Sequence, residues 1–197
     1  GGMLFVSGAR MAHLGMLAGA AGVAGVAFII LDTDGYRFAR FTSFLDPFAD
    51  ALGNGWQVVQ SLLAMGTGGL TGRGLGNSIQ KNLYLPEPQN DFIFAIVCEE
   101  LGLIGAVAIL LIFALLVWRG IVVSLRAKDR FGKLLGIGLT AQIGLQVILN
   151  ILVITDWLPN TGISLPFFSY GGSSLLMLLF QMGIVLSISR SANIEKL

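Results

Sequence analysis

A chain of 197 residues has the length of one domain, but its composition is not that of a soluble one. Hydrophobic residues make up 55% and charged residues 12%, with a mean hydropathy of +0.82, whereas soluble domains carry roughly 25% charge. A net charge of +1 excludes nucleic acid or another polyanion held by bulk charge, and the single cysteine, Cys98, excludes a disulfide framework or a CxxC zinc site.

In chain order, residues 1–6 are apolar but too short to cross a bilayer, and no charged leader or cleavage site marks a signal peptide. They read as the tail of a helix that begins upstream, so the chain is expected to be a fragment of a longer protein. Residues 14–31 form an uncharged run rich in Gly and Ala, ~27 Å long at 1.5 Å per residue, enough to cross a hydrocarbon core. Further spans are expected at about 92–118, 134–155 and 173–189, with extracytoplasmic loops at 32–91 and 156–172. The 27 glycines show no every-third period and fit close-packed membrane helices and tight loops between them. The fold class is therefore all-α: a single membrane domain, a polytopic transmembrane helical bundle with a large extracytoplasmic loop between the first and second full spans.

Drawing the spans sorts the basic residues. Arg10, Arg119, Arg126, Lys128, Arg130, Lys133, Arg190 and Lys196 fall on one face, and Arg37, Arg40, Arg73 and Lys81 on the other. The positive-inside rule makes the richer face cytoplasmic. Only Asp129 and Glu195 of the acidic residues lie on that side.

The segment from 32 to 90 is long for a connection, and long connections are usually functional. Trp56, Val59, Leu62 and Leu63 recur at helical spacing, predicting an amphipathic or re-entrant helix over 54–65. The glycine-rich run 66–76, GTGGLTGRGLG, reads as a backbone unsuited to a helix interior. It is no nucleotide loop, since no strand precedes it and neither GxGxxG nor Gly-Lys-Ser/Thr is completed. Arg37, Arg40, Arg73 and Lys81 are either solvated or paired with neighbouring aspartates, or they form a group able to neutralise a lipid phosphate or diphosphate.

After Pro86 and Pro88, Asn90 or Asp91 can cap a helix that runs continuously to Trp118, ~42 Å long and longer than the bilayer core. Asp91 then sits at the outer interface as a plain cap or as a chemically active carboxylate. Glu99 and Glu100, ~12–13 Å deeper, are either an interfacial pair facing water or the lining of a polar cavity. Gln142, Gln146 and Asn150 share one helix face and are expected to bond across helices. The sequence PFFSYGGSS ends the last loop, where Gly171 and Gly172 permit a tight reversal and Ser173 or Ser174 can cap the final helix, whose N-terminal amides suit a phosphate. His13 has no partner at metal or catalytic spacing, and Cys98 reads as packing.

Three ordered stretches, YRFARFTSFLDPFAD at 36–50, the run GNGWQ to LGLIG at 53–105, and LPNTGISLPFFSYGGSSL at 158–175, resemble the SEDS family of shape, elongation, division and sporulation proteins, which comprises FtsW, RodA and SpoVE. QKNLYLPEPQ and the LPNTGISLPFFSYGGSSL ending are closer in wording to FtsW and SpoVE than to RodA. Family members have about ten spans, so the chain resembles the C-terminal half.

The resemblance implies a peptidoglycan glycosyltransferase that polymerises lipid II, by inversion, at the outer face of the bacterial cytoplasmic membrane during division or sporulation. The essential aspartate of the family motif His-Thr-Asp-Phe-Ile-Phe falls on Asp91, although Gln89-Asn90 replace His-Thr here. Arg40 and Lys81, with Arg37 beside them, match the basic residues of the family's outer loop and are the expected diphosphate clamp. Glu87, Gln89, Ser169, Gly171, Gly172 and Ser173 of the same motifs are the expected remaining substrate contacts. Implied partners are lipid II, a class B penicillin-binding protein transpeptidase and other division proteins at the septum, with no nucleic acid. No cofactor is specified beyond a divalent cation, Mg or Mn, sharing the charge work, and no carboxylate cluster defines a metal site. Two other readings stand beside this one: a lipid II flippase with a path along Glu99, Glu100, Gln142, Gln146 and Asn150, and a non-catalytic scaffold. The fragment alone is expected to be inactive.

Overall fold

The computed structural model describes residues 11–30, 44, 46–48, 53, 55–80 and 90–191. Among these the chain is all helical, as expected: α1 (Met11–Ile30), α2 (Trp56–Gly68), α3 (Ile93–Leu125), α4 (Arg130–Ile154) and α5 (Gly172–Ser191). Three helices, α3, α4 and α5, are long and apolar enough to cross a membrane. Their apolar residues continue around the outward faces, with Leu103, Ile104, Leu111, Leu115, Leu145, Ile148, Leu176 and Phe180 all exposed. A helix that is apolar on every side and still exposed is matched to lipid, not water. In α1, Met16, Leu17 and Val23 are exposed in the same way.

The helices approach closely because small residues line their contacts. A Cβ on Gly120 would strike the Thr140 side chain, and one on Gly136 would strike Ser124 Oγ, so α3 and α4 meet nearly backbone to backbone. The core cluster gathers Phe92, Phe94, Ile96, Cys98, Ala106 and Phe113 with Val147, Ile154 and Leu165. Asp129 starts α4 by accepting a 2.6 Å hydrogen bond from Gly132 N, the N-cap geometry that satisfies one orphan amide. At the other end of α4, Asp156 (φ 60°) takes the left-handed position usually given to glycine: Trp157 N donates to Leu152 O and Asp156 N to Val153 O, a Schellman ending.

The segment between α1 and α3 is structured where it is described. Helix α2 packs on α3 and α4, burying Val58, Val59 and Ala64, and the buried Ser61 hydroxyl donates to Ile154 O. This helix runs from Trp56 to Gly68, so it begins after residue 54 and its end takes in the first glycines of the run 66–76. The expectation that those glycines could not be helical is corrected: Gly66 and Gly68 are in the helix, and the left-handed turn comes at Gly69 (φ 57°). A glycine is needed at Gly68 because the close approach of α2 to the Cys98 carbonyl leaves no room for a Cβ.

The expectation of one continuous helix from Asp91 is also corrected. Helix α3 is broken at Gly102 (φ 68°, ψ −170°), and beyond the break it continues past Trp118 to Leu125. A break inside a membrane helix leaves backbone groups unpaired, and they must be satisfied by other protein. Here the glycine-rich segment fills the gap. Arg73 N and Gly74 N donate to Glu99 O and Glu100 O, each at 3.0 Å, while Leu103 N and Ile104 N donate to Gly69 O and Leu70 O at 2.9 and 3.1 Å. Only a residue without a side chain fits at Gly102, since a Cβ there would collide with Gly72 N and the Leu70 carbonyl.

Candidate active site

The first half of α3, from its start at Ile93 to the break, carries one carboxylate ahead of its head and two near its tail, in contrasting surroundings. Asp91 lies in the turn before the helix. The N-cap position is Phe92, without a side-chain cap bond, so the expected cap at Asn90 or Asp91 is corrected: the buried Phe92 ring anchors the turn, and Asp91 stands one residue outside the helix.

The backbone of Asp91 is fixed from α4. The fully buried Asn150 donates through Nδ2 to Asp91 O at 2.8 Å and to Ile163 O at 2.7 Å, tying the Asp91 turn to the loop that follows α4. Its neighbour one turn earlier, Gln146, donates to Ser164 O at 3.0 Å. These amides therefore hold loop backbone instead of bonding across helices as expected, and Gln142 is exposed. The loop brings Gly162 (φ 67°) against the carboxylate, with Asp91 Oδ2 3.5 Å from where a Cβ on that glycine would stand. Among the described residues no hydrogen bond or ion pair engages the Asp91 carboxylate. Partial burial without a partner among the described residues raises its pKa above the ordinary aspartate value of 3.8, because desolvation penalises the ionised form. Half-buried, desolvated and open, it is a carboxylate able to take a proton from a group brought beside Gly162.

Glu99 is the opposite case. It is 0% exposed, and its two oxygens are met by three donors: Ser78 Oγ on Oε2 at 2.5 Å, and Ile79 N (3.1 Å) and Arg73 Nη1 (3.4 Å) on Oε1. Neither expectation for this residue holds, since it faces neither water nor an open polar cavity. Arg73 is thereby paired with Glu99, not with the aspartates of the outer segment. Glu100 is half-buried, and its Oε1 is buried without a partner.

The chain matches the family FTSW_RODA_SPOVE, cell cycle protein, over residues 1–194. It belongs to that family. It is 52% identical over 188 residues to stage V sporulation protein E of Bacillus subtilis (strain 168), covering 95% of this chain and 51% of the relative. It is 45% identical over 188 residues to a probable peptidoglycan glycosyltransferase FtsW of Geobacter sp. (strain M18), covering 95% of this chain and 50% of the relative. Among solved structures, a chain from a peptidoglycan synthase complex that coordinates polymerization and crosslinking superposes with a TM-score of 0.71 at 29% identity, covering 98% of this chain and 53% of that one. The chain spans about half the length of the curated relatives it matches. With its three candidate spans, this FtsW/RodA/SpoVE chain is a membrane protein.

The remaining expected site residues divide into two groups. Arg37, Arg40, Lys81, Glu87 and Gln89 lie outside the described residues. Ser169, Gly171, Gly172 and Ser173 are described and lie in the loop and first turn leading into α5. The Ser169 hydroxyl accepts from Leu165 N at 2.7 Å, closing the turn around the buried Leu165 and Pro166. Ser174 Oγ donates to Gly171 O at 2.9 Å, and a Cβ on Gly171 would collide with it. Helix α5 opens at Gly172, so Ser173 and Ser174 lie inside its first turn and neither is the cap. Among the described residues no three His, Cys, Asp or Glu side chains gather where a metal ion could be held. The residues that sequence reasoning missed are Ser78, whose isolated hydroxyl gave no signal, and Gly102, one glycine of LGLIG.

Proposed function

We propose that this chain is the C-terminal half of a peptidoglycan glycosyltransferase that polymerises lipid II, with Asp91 as the general base. The single observation that carries the assignment is the state of that carboxylate: half-buried, desolvated, unengaged among the described residues, and fixed through its backbone by Asn150. An acceptor sugar hydroxyl must lose a proton as it attacks the anomeric carbon of a donor held by a diphosphate, and a positioned carboxylate accepts it. The leaving diphosphate needs charge stabilisation more than a proton, the role of Arg37, Arg40 and Lys81 in this reading. The names of the relatives, probable peptidoglycan glycosyltransferase FtsW among them, support the reaction class.

In this reading the substrate is lipid II, the partner a class B penicillin-binding protein, and the active face extracytoplasmic at the division septum, with the bases from Arg119 to Lys133 inside. The transport alternative loses support from its own residues, because Glu99 is buried and held by three donors and Gln146 and Asn150 hold loop carbonyls. The test uses the full-length protein containing this chain, reconstituted in liposomes with its penicillin-binding partner and lipid II. The wild type makes glycan strands and Asp91→Asn makes none at unchanged expression and folding. Normal polymer from Asp91→Asn refutes the assignment.

A further inference from the structure

The half-helix from Ile93 to the break at Gly102 is a short body tied at both ends by different means. At its head, Asn150 of α4 holds the Asp91 carbonyl. At its tail, the helix ladder does not continue through Gly102, and the segment 69–80 takes its place. The backbone splice of Arg73 and Gly74 on Glu99 and Glu100, and of Leu103 and Ile104 on Gly69 and Leu70, joins the two halves of α3 through a third piece of chain. That piece is itself held by one side chain. Glu99 gathers Arg73, Ser78 and Ile79, residues from the middle and end of the segment 69–80, onto a single buried carboxylate. Its backbone carbonyl accepts from Arg73 as well, so side chain and main chain of one residue fix both the segment and the tail of the half-helix.

We propose that Glu99 is a positioning residue for the glycosyl transfer, setting the orientation of the half-helix that carries Asp91 by clamping the segment 69–80 into the break at Gly102. This rests on the catalytic reading of Asp91. Glu99 touches neither Asp91 nor, in that reading, substrate. It acts along the half-helix. A carboxylate suits the task because three donors converge on it and its two oxygens offer about four lone-pair sites. Glu99→Gln keeps the shape but leaves one oxygen, and turns an amide N–H₂ toward a donor. A misplacement of about 1 Å at the base can cost on the order of 10²-fold in rate.

The experiment uses full-length protein in lipid nanodiscs, with hydrogen exchange read by mass spectrometry beside steady-state polymerisation of lipid II. Glu99→Gln is expected to speed exchange in peptides covering 69–80 and 90–97 while α4 keeps wild-type protection. It is expected to lower kcat at least tenfold with KM for lipid II within about twofold. Ser78→Ala, which removes one donor and spares the carboxylate, gives the same pattern more weakly and serves if Glu99→Gln does not fold. Unchanged exchange over 90–97 in both variants overturns the proposal, as does a rise in KM at constant kcat. Loss of protection throughout α4 in both variants overturns it too, since Glu99 would then serve the general fold. The two readings fail separately: full polymerisation by Asp91→Asn sinks the catalytic role, whereas the exchange pattern reports the clamp whatever Asp91 does.

Discussion

The break in α3 makes a prediction whose sign separates two architectures. Consider Gly102→Ala. Were α3 a continuous helix, alanine would replace the worst ordinary helix former with the best, stabilising the protein by about 1 kcal/mol. At φ 68° and ψ −170° the backbone lies in a region open essentially to glycine alone, and an alanine held there costs ~1–3 kcal/mol in strain. The added Cβ would also run into Gly72 N and the Leu70 carbonyl, so the spliced segment has to withdraw. Withdrawal releases four backbone hydrogen bonds of 2.9–3.1 Å. Each contributes about 0.5 kcal/mol net at the low end of the usual range. The expected cost is therefore at least about 3–5 kcal/mol. Thermal unfolding of the full-length protein in detergent or nanodiscs, followed by intrinsic fluorescence with wild type in parallel, reads the result as a clear drop in Tm. A Tm that stays or rises refutes the break and with it the splice.

Ionisation of Asp91 should couple activity and stability in opposite directions. Burial raises its pKa, so its contribution to stability is full below the unfolded value near 3.8 and is lost as pH climbs through the folded pKa, while polymerisation rises over the same window as the base ionises. Asp156, raised by burial too, adds to the stability decline, and thermal melts of wild type and Asp91→Asn across that pH range should show Asp91→Asn losing less. Asp156→Gly should raise Tm, because glycine relieves ~1 kcal/mol of left-handed strain at φ 60° and removes a buried carboxylate oxygen without a partner; a lowered Tm would show that its side chain has a stabilising contact. Asn150→Leu should lower stability by about 1–3 kcal/mol, since the Asp91 and Ile163 carbonyls lose their donor while the buried Oδ1 is removed with it, and it should cut polymerisation far more than that loss accounts for by freeing the Asp91 turn. A large drop in Tm with proportionate loss of activity would contradict that division.

The three long apolar helices were legible because lipid demands long apolar runs, a signal that needs no knowledge of partners. Family motifs singled out Asp91 as the candidate base, whereas its surroundings were not legible. Asn150 was visible as a polar residue on one face of α4, but its actual bonds are to carbonyls 59 and 13 residues away in sequence, and no periodicity encodes those. Gly102 was invisible for a related reason. A lone glycine in a helical pattern has many uses, and what makes this one a break is the segment 69–74 arriving from elsewhere in the chain to take over the unpaired carbonyls and amides. The Phe92 cap departed from the residue preferences of soluble helices because burial of an aromatic ring in the core cluster that also holds Ile154 and Leu165 secures the turn where a side-chain cap would otherwise do so.

Asp91 and Glu99 stand eight residues apart along one short stretch, and the structure treats them in opposite ways. One is sealed from solvent and has three donors on its oxygens. The other is half-buried and keeps its lone pairs open among the described residues. An open carboxylate in a partly desolvated site can take a proton without giving up a hydrogen bond. In the proposed reading the division is between holding and reacting: the clamped carboxylate sits at the joint of the half-helix, and the open one just ahead of its head, in the turn held by Asn150, where the loop after α4 brings up Gly162 and no side chain.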